Sequence, residues 1–196
     1  FSLLFLGLSF MKESVPDLRE TPQVLEFVKT WSSHGFGSVL LFLVAGAVLT
    51  IVLQASSATM AITMLLAASG LIDFKLAVAM VLGENIGTTI TANIAASVAN
   101  TSAKRAARAH TIFNIVGVIW VLILFGPIVK LICLIMVKLG WSDPMTASAQ
   151  LAAIAEGRVT ADAEMMSQLK DSLLYGIAML HTLFNVTNTL VLIWFT

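Results

Sequence analysis

The run GFGSVLLFLVAGAVLTIVLQASSATMAITMLLAASGLI, from Gly35 to Ile72, holds no Asp, Glu, Lys, Arg or His across 38 residues. One helix crossing the hydrocarbon core of a bilayer needs about 20 apolar residues, and two crossings with a turn need about 40 or more. The run is therefore long for one span and short for two. Its only polar cluster, Gln54-Ala55-Ser56-Ser57-Ala58-Thr59, falls near the middle. Nothing there resembles an aqueous loop. Residues 35–72 read as a re-entrant hairpin that dips into the bilayer and returns to the same side.

The composition agrees with a lipid solvent. The 196 residues are 58% hydrophobic and 11% charged, and mean hydropathy is +0.95. Roughly a quarter of an average soluble chain is charged. Lys+Arg and Asp+Glu are equal at 11 each, so nothing points to nucleic-acid binding. Cys133 lies alone in an apolar run and reads as a small hydrophobe. Phe1 to Met11 is apolar without a basic leader or a cleavage site, and reads as the end of a transmembrane helix. Within Lys12–His34, the residues Val24, Leu25, Phe27, Val28 and Trp31 recur at helical spacing and predict a short amphipathic helix at the interface.

Beyond the hairpin, residues 76–98 are one span long. Their centre, Gly83-Glu84-Asn85-Ile86-Gly87-Thr88-Thr89, brackets a charge and an amide between glycines. This predicts a helix broken at the bilayer midplane. Residues 111–139 form a long span that Gly126-Pro127 should kink, with Lys130 and Lys138 snorkelling at its end. Residues 140–170 form a polar, Ala-rich loop with one or two surface helices, and 172–195 a last span. Lys104, Arg105 and Arg108 place the loop after the third zone in the cytoplasm, which makes 140–170 extracytoplasmic. The sequence also echoes itself: His110-Thr111-Ile112-Phe113-Asn114-Ile115 matches His181-Thr182-Leu183-Phe184-Asn185-Val186. In each copy His and Asn are four apart and share a helix face.

Unpaired polar groups in hydrocarbon cost several kcal/mol each, and an intramembrane acid such as Glu84 about 2.5–3.5 kcal/mol on insertion scales. Residues of this kind face a cavity or a partner. A broken helix offers freed N–H groups to anions and freed carbonyls to cations. Ser56 and Ser57 stand where the return arm of the hairpin should begin, and the carbonyls of Val52 and Leu53 end the inward arm. Gln54 has both donor and acceptor and can bridge the two ions. Asn85, Thr88 and Thr89 repeat the arrangement. Neither motif contains Arg or Lys, so an anion bound there needs other countercharge. Hard oxygen donors suit Na⁺ rather than a transition metal. Cation-coupled anion transport follows.

Here a resemblance becomes specific. Gln54-Ala55-Ser56-Ser57-Ala58 resembles the Gln-Ser-Ser-Ser-Ala motif of the type II sodium/phosphate cotransporter family, and Gly83 to Thr89 is similar to its Gly-Ala-Asn-Ile-Gly-Thr-Thr motif. Lys104 to Asn114 and Leu4 to Pro16 also look like that family. The resemblance implies an all-α integral membrane protein, a single membrane domain over 1–196 forming the second of two inverted repeats, in a bacterial cytoplasmic membrane, multi-pass. It implies sodium-coupled symport of inorganic phosphate by alternating access, with the missing first repeat or a second copy of the chain completing the site. The phosphate set is then Gln54, Ser56, Ser57, Thr88 and Thr89. The sodium set is Gln54, Ser57, Thr59, Asn85 and Thr88, with Glu84, Asn114 and Asn185 second. Ala55 replaces the family's first serine and Glu84 its small residue. Two other functions compete. One is an intramembrane hydrolase with Ser56 or Ser57 as nucleophile and His110 or His181 as base, against which no Gly-x-Ser-x-Gly elbow occurs. The other is a membrane scaffold or regulatory half-transporter. Scattered hydroxyls such as Ser38, Thr50 and Ser97 read as helix glue.

Overall fold

Four of the helices begin at an Asn or Asp. In the computed structural model, which describes residues 26, 30–32 and 34–195, the side chain of Asp73 accepts from the Leu76 N–H, Asn100 from Ala103, Asp143 from Met145 and Asp162 from Met165. Each such cap satisfies an otherwise orphaned N–H and contributes about 1 kcal/mol. Among the described residues the elements are α1 (Phe36–Leu53), α2 (Ser56–Ala68), α3 (Phe74–Ala96), α4 (Thr101–Ile123), α5 (Phe125–Lys138), α6 (Pro144–Ala155) and α7 (Ala163–Leu192), then one 3-10 turn, Ile193–Phe195, with no strand. The expected span at 1–11 and most of the interfacial helix within 12–34 lie outside the described residues.

α3 is the central helix. It packs against α1, α2, α4, α6 and α7, and every residue from Leu76 to Glu84 is buried. α1 lies closest, because glycines remove the side chains that would hold the backbones apart. A methyl group on Gly46 would overlap the Met80 carbonyl, and one on Gly83 the Leu43 carbonyl. One on Gly87 would stand 2.6 Å from the Ala47 carbonyl oxygen and 2.7 Å from Thr50 Cβ. From Leu43–Gly83 to Ala47–Gly87 the contacts advance four residues along both helices, so α1 and α3 run parallel. α2 connects them by running back.

The expected break in 76–98 is corrected. α3 is one uninterrupted helix of 23 residues through Gly83–Thr89. Gly83 and Gly87 serve close approach to α1, and the backbone keeps its helical hydrogen bonds.

The long span 111–139 begins ten residues earlier than expected and divides in two. α4 ends at Ile123, and Leu124 (φ −100°, ψ 22°) separates it from α5. Pro127 has no N–H for the Ile123 carbonyl and its ring crowds that carbonyl, which is why the helix stops there. Lys104, Arg105 and Arg108 therefore stand on the opening turns of α4 rather than in a loop. Residues 140–170 also differ from a surface loop. α6 buries Pro144, Ala147, Ser148 and Leu151 against α7 and α3. α7 starts at Ala163, nine residues before the expected last span. Gly70, Gly140 and Gly157 end α2, α5 and α6 in left-handed conformations, with paired bonds such as Leu71 N–H to Leu66 O at 3.1 Å.

α1 and α4 are long and apolar enough to cross a membrane, with mean hydropathies of 2.6 and 1.6 over their best windows. α2, at 13 residues, reaches about 20 Å at 1.5 Å per residue, short of a core of about 30 Å.

Candidate functional site

The turn between α1 and α2 is made by two residues. Gln54 is left-handed (φ 53°, ψ 25°) and Ala55 extended (φ −146°, ψ 106°). Gln54 is the only non-glycine residue at positive φ among the described residues. Such a conformation costs a residue with a Cβ about 1–2 kcal/mol. Strain of this kind persists where surrounding contacts hold it. Across the turn, the Thr50 hydroxyl donates to the Gly46 carbonyl at 2.8 Å and lies 3.1 Å from the Thr59 hydroxyl, which in turn reaches the Ala55 carbonyl at 3.3 Å. In a continuous helix, Thr50 and Thr59 would be about 13 Å apart along the axis. The chain therefore reverses at Gln54-Ala55, where the sequence places it, and Ser56 opens the second arm.

Nothing on the side chains caps α2. Ala55 occupies the cap position with no oxygen to offer. The N–H groups at the start of α2 thus remain available, as orphan donors do at any uncapped helix start. Gln54 and Ser57 are exposed and Ser56 is half-buried. Gln54, Ser56 and Ser57 form an uncharged polar tip at the end of an otherwise apolar hairpin.

The α3 motif packs beside the turn, against the last turns of α1. Gly87 touches Thr50, and Thr50 touches Thr59. The last turn of α1, the first turn of α2 and the middle of α3 therefore converge. Along α3 the polar side chains turn back on their own helix: Asn85 Nδ2 donates to the Val81 carbonyl at 2.9 Å, the Thr88 hydroxyl to Glu84 at 2.9 Å and the Thr89 hydroxyl to Ile86 at 2.8 Å. A hydroxyl whose proton rests on a helix carbonyl presents only lone pairs, the form a hard cation accepts. Thr88 and Asn85 are half-buried, whereas Thr59 and Thr89 are fully buried. α1 and α2 carry no ionisable side chain, and in α3 only Lys75 and Glu84 do.

Glu84 is 3% exposed, and its Oε2 has no hydrogen-bond partner; Thr63 Oγ1 and Asn188 Oδ1 are buried and unpartnered in the same way. Among the described residues no cationic side chain lies within 4.0 Å of Glu84, and the one ion pair is Arg158 with Glu156 at 2.6 Å, on the surface.

Asn114 and Asn185 make no hydrogen bond to Gln54, Ser56 or Ser57. Each donates to the carbonyl of the histidine one turn before it, at 3.0 and 2.9 Å, so the two echoed segments share a local geometry. No hydrogen bond joins Ser56 or Ser57 to His110 or His181, as a hydrolytic pair would need. Two residues that organise the helices, Asn93 and Asn188, went unread in the sequence, and a third, Thr50, was read as helix glue without its partner. Thr50 closes the hairpin turn. Asn93 on α3 reaches the Ala107 carbonyl at 3.3 Å and the Thr111 hydroxyl on α4. Asn188 on α7 donates to the Phe113 carbonyl on α4 at 3.0 Å and fills the space left by Gly117. The only available signal was an amide inside an apolar helix, which does not say which neighbour it reaches.

The described residues form an all-helical, apolar structure with an uncharged polar tip, and two of its helices are long and apolar enough to cross a membrane. Residues 3–155 match the model of the Na⁺/Pi-cotransporter family, and the chain belongs to that family. It is similar to "Uncharacterized protein YqeW" of Bacillus subtilis, 44% identical over 80 residues, 41% of this chain and 26% of the relative. It is similar also to "Putative inorganic phosphate export protein YjbB" of Escherichia coli K12, 35% identical over 103 residues, 53% of this chain and 18% of the relative. The chain thus spans between 18% and 26% of the length of these relatives. No solved structure matches it.

Proposed function

We propose that the chain is one repeat of a sodium-coupled inorganic phosphate transporter of the bacterial cytoplasmic membrane, working by alternating access. The observation that supports this reading is the strained, uncapped Gln54-Ala55 turn, whose flanking Thr50 and Thr59 meet each other while Gly87 of the α3 motif packs against Thr50. The tip supplies N–H and O–H donors to an oxyanion from Gln54, Ser56 and Ser57; Thr88 and Thr89, on the α3 side, join them only when their hydroxyls turn away from the Glu84 and Ile86 carbonyls. Gln54, Ser57, Thr59, Asn85 and Thr88 supply oxygen ligands to Na⁺, which stands in for the missing cationic side chains. Thr59 and Thr89 are buried with their hydroxyls engaged, so they act by shaping the tip until it opens. A relative's name speaks of phosphate export; the cotransporter family to which the chain belongs favours coupling to sodium.

In this reading the α1–α2 pair is the re-entrant hairpin, the Lys104–Arg108 turns face the cytoplasm and residues 140–170 face outward. The exposed tip requires a facing element, either the other inverted repeat or a second copy of the chain. Equilibrium dialysis of labelled phosphate against the purified chain tests the coupling. Phosphate is retained in sodium chloride and lost in choline chloride; equal retention in both salts removes sodium from the account.

A further inference from the structure

The two faces of the α3–α4 junction differ in chemistry, and neither belongs to the tip. One groove is lined by alanines, among them Ala92, Ala96, Ala103 and Ala107. The other, of about 670 Å³, is lined by Ile90, Ile94 and Ile112 with Asn93, Ser97, Thr111 and Arg108. Spacing puts the two sets on opposite sides of α3. Close helix packing within a membrane uses small residues, so the alanine side suits another helix. Branched side chains standing out from the surface, Ile94 at 61% and Ile112 at 64% exposed, suit acyl chains.

Charge identifies the headgroup. Arg108 lines the isoleucine groove, and Lys104 and Arg105 stand one turn earlier on α4, all three exposed. No Asp or Glu occurs between Glu84 and Asp143, and among the described residues Arg108 makes no ion pair. Asn93 is already committed to Ala107 and Thr111, and the Ser97 hydroxyl donates to Ile94 at 2.7 Å. The free donor in the groove is therefore the Arg108 guanidinium, whose fork matches a phosphate. We propose that this groove binds one anionic phospholipid, its phosphate on Arg108 and an acyl chain along Ile90, Ile94 and Ile112. A basic pocket between membrane helices is a recognised setting for an anionic headgroup.

The chemistry of a lipid phosphate and of free phosphate is shared, so the test separates them. The full chain, carrying Cys133→Ser, is purified and offered equimolar phosphatidylglycerol and phosphatidylcholine, and retained lipid is counted by native mass spectrometry. Phosphatidylglycerol is expected to be preferred by about five-fold, the effect of one basic residue at a membrane surface. Arg108→Gln abolishes the preference, Ile94→Ser weakens it, Lys138→Gln leaves it intact, and inorganic phosphate does not compete. The proposal is overturned if phosphatidylcholine is held equally, if Lys138→Gln matches Arg108→Gln, if inorganic phosphate displaces the lipid, or if an Ile94→Cys chain cross-links to a second copy in stoichiometric yield.

Discussion

The hairpin tip and the α3 motif look alike in sequence, each a cluster of hydroxyls and an amide in an apolar run, and they fold in opposite ways. The tip breaks the helix with no glycine present, on a left-handed glutamine. The α3 motif carries two glycines and does not break. Glycine in a membrane helix serves two ends, backbone freedom and close approach, and only the neighbour decides between them. At Gly83 and Gly87 the neighbour is the backbone of α1. At Gln54 the turn is fixed from outside, by the Thr50–Thr59 contact and the short link to α2.

The comparison breaks most readily at Gly83. Gly83→Ala forces a methyl into the Leu43 carbonyl and should destabilise by at least about 1–3 kcal/mol, the usual cost of overpacking. Gly126→Ala, with open space around it, should change thermal unfolding little. Equal effects would mean that the α1–α3 approach is not tight. Asn188→Ala comes next. It removes the tie to Phe113 and should cost about 1–2 kcal/mol, without altering phosphate binding.

The tip sharpens the contrast in the other direction. Gln54→Gly relieves the left-handed strain and should gain up to about 1 kcal/mol in stability while phosphate binding is lost. A fall in stability would show that the side chain, rather than the backbone, holds the turn. Ala55→Ser supplies the missing cap and should stabilise the tip by about 0.5–1 kcal/mol, read as a rise in melting temperature. Ser57→Ala, at an exposed hydroxyl, should move stability by less than about 0.5 kcal/mol.

Much of this was legible in the residues. The hairpin arms and the turn at Gln54-Ala55 follow from an uncharged run of fixed length with one polar interruption. The kink before Pro127 follows from a missing N–H. What the residues do not reveal is pairwise. The continuity of α3 depends on α1 lying against its glycines, and the docking of α6 depends on Pro144 meeting Gly176 of α7. Thr50 looked like one more hydroxyl bonded to its own helix, which it is, and only the fold brings Thr59 to its other side. The early start of α4 was hidden by its charges, which read as loop although Asn100 and the alanines that follow favour helix.

The central claim is that the Gln54-Ser56-Ser57 tip binds phosphate and sodium together. Its most direct test is the melting temperature of the detergent-purified chain with phosphate and Na⁺ varied independently, beside Ser57→Ala and Ser97→Ala. A ligand at a hundred times its Kd stabilises by about 2.7 kcal/mol, and each kcal/mol is worth about 2–4 °C in a chain of this size. The account predicts a rise of several degrees with phosphate only when Na⁺ is present, lost in Ser57→Ala and kept in Ser97→Ala. A rise that survives Ser57→Ala, or that needs no sodium, would contradict it.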